Sequence, residues 1–125
     1  DWIAEEYGTH ASTFSGGPVI SAAAEATVST LVEADVPGNA ATVGSYLQTE
    51  LATRLGESVR EVRGEGLMVG VEVRRGANRV LRELAMEHGV LALPAGRTVV
   101  RLLPPLTIDH EQADEVVDAL AEVLG

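Results

Sequence analysis

The sequence predicts an α+β domain in which a small, mostly antiparallel sheet carries helices on one face. Three observations lead to this fold class. The chain has 125 residues, enough for one domain with its own core. Apolar residues make up 46% but aromatic residues only 3%, so the core must consist of Val, Leu, Ile and Ala. Helical spacing and strand alternation follow each other in the order helix, helix, strand, strand, helix, strand, strand, helix.

The N-terminal half begins with an irregular segment, residues 1–17, that is rich in Gly, Ser and Thr. Pro18 is suited to the first position of a helix, because its fixed φ and missing N–H cost nothing there. We expect that helix to stop near Asp35, and Pro37 and Gly38 to break the chain. A second helix is predicted over residues 39–57. Its apolar residues recur at helical spacing: Val43, Leu47, Leu51 and Leu55.

The C-terminal half predicts paired strands over residues 59–66 and 67–73, where apolar and polar residues alternate. A helix over 77–89 follows, with Gly89 as its C-cap. Two short apolar runs, residues 90–95 and 98–105, predict two more strands. Asp109 and Gln112 form a capping box that opens a last helix over 110–124. The predicted inward residues of these two helices are Val80, Leu81, Leu84, Ala85, Val116, Val117, Leu120, Val123 and Leu124.

The formal charge is −10, from 19 acidic and 9 basic residues, and every basic residue is arginine. Such a surface repels phosphates and anionic lipid heads, which disfavours nucleic acids and membranes as partners. It is also suited to a high-salt cytoplasm and predicts a halophilic source.

The absence of cysteine fits a cytoplasmic protein and excludes thiolate sites. Because the first residue is Asp1, we expect the chain to be trimmed or excerpted.

Small hydroxyl residues and glycines fill GTHASTFSGGP, residues 8–18, just before the first predicted helix. Donors beside the positive end of a helix dipole hold phosphate or carboxylate groups. Ser12, Thr13 and Ser15 are therefore candidate anion ligands. An ordinary capped loop is the alternative interpretation. His10, His88 and His110 show no ligand spacing, so no metal site is predicted.

Two further features bear on chemistry. The glycines of GEGLMVG, residues 64–70, do not have the spacing of a dinucleotide loop and are followed by a strand pattern. They indicate a bend and close strand packing.

Arg101 stands inside the apolar run TVVRLLPPL, where a buried guanidinium favours a carboxylate partner. An outward position on a half-exposed strand is the alternative.

The segments GTHASTFSGGP, GEGLMVGVEV and VVRLLPPLTI, in this order and at these separations, resemble the C-terminal part of class III pyridoxal-phosphate aminotransferases. The similarity covers almost the whole chain and is greatest to enzymes that act on acetylornithine, ornithine or carrier-linked substrates. Two positions depart from the family pattern. Ala11 stands where glycine is frequent, and Ser15-Gly16-Gly17-Pro18 replaces Gly-Gly-Asn-Pro.

The resemblance implies a division of the chain into a cofactor-reaching loop, residues 1–17, and a C-terminal small domain, residues 18–125. It implies that Thr13 bonds the cofactor phosphate across a homodimer, that Ser12 lies beside the substrate, and that Arg101 binds a substrate carboxylate. The substrates implied are an amino acid and a 2-oxo acid.

The family's Schiff-base lysine has no counterpart here, because the chain contains no lysine. Imine chemistry with the cofactor needs an amine that holds its aldehyde. The sequence therefore predicts a fragment that lacks the N-terminal large domain and is inactive alone. A non-catalytic binding or oligomerisation module with the same fold is the alternative.

Overall fold

A computed structural model describes residues 12–125 of the chain. They divide into two compact units, whose boundary falls between Asp35 and Val36. Each unit is described by itself below. Within residues 12–125 no helix is long and apolar enough to cross a membrane.

The first unit consists of a turn followed by helix α1, Pro18–Glu33. Pro18 occupies the first helical turn, as predicted, and Gly17 is the N-cap in an extended conformation. No residue of α1 is buried within the described chain, and four large aliphatic residues are exposed: Val19, Ile20, Val28 and Val32. The helix ends at its C-cap Ala34, close to the predicted Asp35.

The second unit contains three helices and four strands in the predicted order. The helices are α2 Val36–Leu55, α3 Ala77–Glu87 and α4 His110–Leu124, and a single 3-10 turn, Gly56–Ser58, follows α2. The strands are β1 Val59–Glu65, β2 Met68–Val73, β3 Leu93–Pro94 and β4 Val99–Leu102. They form one sheet in the order β1-β2-β4-β3, and each neighbouring pair is antiparallel. The predicted α+β class is confirmed.

Several predicted boundaries were wrong. Strand β3 covers only Leu93–Pro94 and not residues 90–95, and two further differences concern proline. Pro37 and Gly38 do not break the chain but lie in the first turn of α2. Proline is tolerated there because the first amides of a helix have no intrahelical partner. Strand β4 ends at Leu102, earlier than predicted, because Pro104 and Pro105 cannot donate to a strand ladder.

The core lies between one face of the sheet and the three helices. The strands contribute Val69, Val71, Val73, Val100 and Leu102, each at most 4% exposed. Most of the predicted inward residues are buried: Val43, Leu47, Leu51, Leu55, Val80, Leu84, Val117 and Leu120. The others are half-buried: Leu81, Ala85, Val116, Val123 and Leu124.

Local signals at the helix ends are confirmed. Asp109 accepts a hydrogen bond from the Gln112 backbone at 2.9 Å, and Gln112 Oε1 accepts one from the Asp109 backbone at 3.3 Å, which completes the capping box. Gly89 has φ 68° just after α3, the left-handed conformation of a helix terminator.

A polar contact joins α2 to α4. Tyr46 donates a hydrogen bond to Asp114 Oδ1 at 2.6 Å, and its ring meets that of His110 edge-on at 4.7 Å between centroids. The hydrogen bond to Asp114, together with desolvation, raises the pKa of Tyr46 from 10.0 to about 12. The neutral phenol therefore persists in the folded state at alkaline pH.

The β1–β2 hairpin turn rests on the backbone of α2. A Cβ added at Gly44 would come within 2.8 Å of Gly66 Cα and closer still to the Gly66 carbonyl. Gln48 Nε2 donates to the carbonyls of Gly44 and Gly66, each at 3.2 Å. Gly66 itself has φ 52° in the turn. The predicted bend is confirmed at Gly66, and the predicted close packing is confirmed at Gly64 and Gly66.

Gly44→Ala is expected to destabilise the protein by about 1–3 kcal/mol, because the added methyl must displace backbone and not a flexible side chain. Chemical unfolding of the full protein measures the change. Ser45→Ala, at the next and exposed position of α2, is the control and should be neutral or slightly stabilising. Equal stability of the Gly44 variant and the parent would show that the helix and turn are not in close contact.

Candidate functional site: the open face of the sheet

The face of the sheet opposite the core carries polar strand residues that include Arg63, Glu72 and Arg101; we call it the open face. Successive strand residues point to opposite sides, so burial of Val69, Val71 and Val73 turns the residues between them outward. One row across this face is fixed by pairing: Arg63 lies opposite Gly70, Gly70 opposite Arg101, and Arg101 opposite Leu93.

Arg101 is half-buried on the open face, between the buried residues Val100 and Leu102 of β4. This position matches the alternative interpretation, an outward residue on a half-exposed strand, and the carboxylate partner stays a prediction. Its Nε is buried without a hydrogen-bond partner in the described chain. A buried donor without a partner costs free energy, which a ligand acceptor would recover.

Arg75 also has a buried Nε without a partner in the described residues. However, its Nη2 donates to Glu83 at 2.7 Å and to the Val123 carbonyl near the end of α4. The ion pairs of residues 12–125 include no pair with Arg101. Arg101 is therefore the better candidate for a ligand, and Arg75 has a structural role.

A depression of about 320 Å³ in the open face is lined by Arg63, Met68, Gly70, Ala95, Val99 and Arg101, among others. Arg63 Nη1 bonds Glu61 at 2.6 Å and Glu72 at 3.2 Å, and the hydrogen bond to Glu72 is the main reason that the pKa of Arg63 is raised. Glu72 also lies 3.6 Å from Arg60. These carboxylates pair with the neighbouring arginines. Glu65 also lines the depression, and none of these carboxylates forms an ion pair with Arg101 in residues 12–125.

Ser12 and Thr13 lie in an exposed turn before α1. The Ser12 carbonyl accepts from the Ser15 amide at 3.2 Å and from the Ser15 hydroxyl at 2.8 Å. Ser12 Oγ is 3.4 Å from the Phe14 amide, which donates to it. The Ser15 hydroxyl proton is thus used within the turn, which weakens Ser15 as a candidate. The hydroxyl protons of Ser12 and Thr13 have no acceptor in the described part of the chain.

The sequence-predicted residues fall into different units: Ser12 and Thr13 precede α1, whereas Arg101 lies on β4 of the second unit. His10 and Ala11 lie outside the described residues. Sequence reasoning missed the position of Gly70 beside Arg101. Strand alternation could have placed Gly70 outward, but only cross-strand register places it opposite the arginine.

No group of three or more metal-binding side chains occurs in residues 12–125.

Comparison with known proteins gives this arrangement a family. The model of the family Aminotransferase class-III matches residues 3–124. The chain belongs to the class III aminotransferases. This class implies pyridoxal phosphate as cofactor, as the three sequence segments predicted.

Two class III relatives from different organisms show the extent of the match. Acetylornithine aminotransferase of Methanosarcina mazei is 41% identical over 115 residues, which are 92% of this chain and 29% of that protein. Ornithine aminotransferase of Staphylococcus epidermidis is 36% identical over 118 residues, 94% of this chain and 30% of that protein. The chain spans about 30% of the length of such relatives.

Solved class III structures share the fold. Ornithine δ-aminotransferase of Plasmodium falciparum has a TM-score of 0.85 at 28% identity and matches 98% of this chain and 32% of that one. Acetylornithine aminotransferase of Elizabethkingia anophelis has a TM-score of 0.84 at 26% identity and matches 98% of this chain and 34% of that one.

The described residues fit part of the pyridoxal phosphate molecule. The free hydroxyl proton of Thr13 and the start of α1, which has no side-chain cap, fit a phosphate group. No residue of the chain fits the aldehyde, because lysine is absent. The described residues are thus compatible with a phosphate group and with a substrate carboxylate, but the chain has no group for the cofactor aldehyde.

Proposed function

We propose that the chain is the C-terminal part of a longer transaminase that carries an amino group from N-acetylornithine, or from a carrier-linked relative, to 2-oxoglutarate. The pathway would be arginine or lysine biosynthesis. Acetylornithine and ornithine aminotransferases among the relatives support this. So does a putative [LysW]-aminoadipate semialdehyde/glutamate semialdehyde transaminase of Pyrobaculum aerophilum, 42% identical over 119 residues.

The half-buried Arg101 on the open face carries this proposal. Both substrates of such a reaction have carboxylates, and a guanidinium binds a carboxylate through two parallel hydrogen bonds. A site for a substrate anion needs one unbalanced positive charge, which Arg101 supplies beside the neutralised Arg63. When bound, pyridoxal phosphate supplies the electron sink of the reaction. Arg101 would hold and orient the substrate.

The Thr13 hydroxyl would donate a hydrogen bond to the cofactor phosphate of a partner subunit, and Ser12 would lie beside the substrate. The exposure of this turn supports the assignment, because a residue that serves another subunit must be accessible in its own. The proposal thus includes a homodimer. The acidic, cysteine-free composition supports a cytoplasmic and halophilic setting.

The chain alone is expected to show no transamination, because it has no amine that can hold the cofactor aldehyde. The test compares the isolated chain with the full gene product, in the presence of pyridoxal phosphate and both substrates. Cofactor absorbance in the full product that disappears when its cofactor-binding lysine is replaced would support the proposal. A full product without cofactor absorbance would instead favour a non-catalytic module of this fold.

Arg101→Ala in the full enzyme is expected to weaken the 2-oxoglutarate half-reaction by about 2–5 kcal/mol in kcat/KM, because a carboxylate would lose its charged partner. Stopped-flow measurement of that half-reaction gives the value. Arg97→Ala, at an exposed arginine of the β3–β4 turn, is the matched control and should change little. Unchanged kinetics for the Arg101 variant would rule out its assignment.

Thr13→Ala in the full enzyme is expected to weaken retention of pyridoxal phosphate by about 0.5–1.5 kcal/mol, the range for one hydrogen bond. Dialysis followed by titration with cofactor measures the dissociation constant. Thr27→Ala is the control, since Thr27 is exposed on α1 and its hydroxyl donates to the Ala23 carbonyl at 2.8 Å. Equal cofactor affinity of the Thr13 variant and the parent would show that the phosphate is held elsewhere.

A further inference from the structure

We propose that Gly70 is a specificity-determining position, because its missing side chain keeps the space beside Arg101 open to the end of a carboxylate substrate. The inference rests on the proposed function, since it assumes that Arg101 meets that carboxylate. It assigns a role to a strand glycine, a residue without a side chain of its own.

The position of Gly70 is fixed by the sheet. Gly70 is central in the row that runs from Arg63 through Gly70 and Arg101 to Leu93. It is the member of that row without a side chain, and it forms part of the wall of the 320 Å³ depression together with Arg101. Cβ atoms of directly opposite strand residues lie about 4.5–5.5 Å apart, so a side chain at Gly70 would neighbour that of Arg101 as well as those of Val99 and Arg63.

The backbone does not require glycine at this position. Gly70 is not among the residues with positive φ, which include Gly66 and Gly89. Nor does a neighbouring backbone press on it: the nearest atom to an added Cβ is Val99 Cγ1 at 3.3 Å, followed by the Arg63 carbonyl at 3.8 Å. Gly44 and Gly64 differ, since an added Cβ there would collide with backbone.

Glycine inside a strand weakens that strand by about 0.5–1 kcal/mol relative to alanine. Neither the backbone conformation nor a close backbone approach demands glycine here, so the glycine either leaves room for Val99 Cγ1 or has another use. The use that the geometry offers is free space on the open face.

The surroundings of that space suit a short, anionic ligand. Arg63, on one side of Gly70, is paired with Glu61 and Glu72, whereas Arg101, on the other side, has no ion pair in the described chain. Met68 and Ala95 add apolar wall, and Glu65 also contributes to the lining. A volume of about 320 Å³ is at the small end of ligand pockets, consistent with a carboxylate on a few methylene carbons.

The experiment uses the full enzyme with Gly70→Ala and Gly70→Val. Gly70→Ala should raise KM for 2-oxoglutarate roughly tenfold, the lower end of the effect of one methylene in a pocket, and Gly70→Val should raise it further. The kcat value should change little, because ground-state binding is what is lost. The dissociation constant of glutarate, an unreactive dicarboxylate, should rise in parallel when it is measured by calorimetry.

Two controls separate loss of space from strain. Gly76→Ala adds a methyl where no atom lies within 4 Å and should leave KM unchanged. Val99→Ala, combined with Gly70→Ala, removes the atom that presses on the new methyl. If the loss of space beside Arg101 causes the effect, KM for 2-oxoglutarate stays raised in the double variant. If Val99→Ala restores KM and glutarate binding to those of Val99→Ala alone, strain explains the effect and the inference is wrong.

Arg101→Ala distinguishes this inference from the proposed function. If Arg101→Ala weakens glutarate binding and both Gly70 variants bind it normally, the role of Gly70 is wrong and the role of Arg101 stands. If none of the three variants alters glutarate binding, the carboxylate site is wrong and both fail.

Discussion

The structure depends on the two-sided nature of its central strands. In β2 and β4 every second residue is a Val or Leu in the core, and burial of those residues fixes the orientation of the others. A slip of one residue would bury Arg101 among the helices and expose the valines, at a large cost in both desolvation and lost apolar burial. The same force that forms the core therefore turns Gly70, Glu72 and Arg101 toward the open face.

The helices stabilise the sheet by packing against its core face. Close contact between the backbones of Gly44 and Gly66 seats the hairpin turn on α2, and Gln48 bonds both carbonyls. The Tyr46–Asp114 hydrogen bond ties α2 to α4. These contacts hold the core side of the sheet in place. A guanidinium that binds a carboxylate through two hydrogen bonds needs a fixed orientation, and rigid elements maintain such geometry better than loops do.

Charge on the open face is distributed unevenly, and this suits a binding site. Glu61 and Glu72 pair with Arg63, whereas Arg101 has a buried Nε without a hydrogen-bond partner in the described residues. Arg74, Arg82 and Arg97 also lie outside the ion pairs of residues 12–125, but Arg101 combines the lack of an ion pair with a buried Nε that has no partner in those residues. Binding of an anion is what these residues can do. The covalent chemistry of a class III aminotransferase needs an amine, which no residue of this chain can provide.

The sequence by itself determined the order of helices and strands, the apolar faces of the helices, the capping box at Asp109 and the absence of a Schiff-base lysine. These features depend on residue type and short-range periodicity, which a linear pattern records. The tertiary structure decided which residues lie together: Gly44 against Gly66, and Gly70 beside Arg101. Those contacts join residues 22 or more positions apart and follow from register and close backbone packing. Pro37 shows the same limit, since only the completed helix reveals that its missing N–H lies in a first turn.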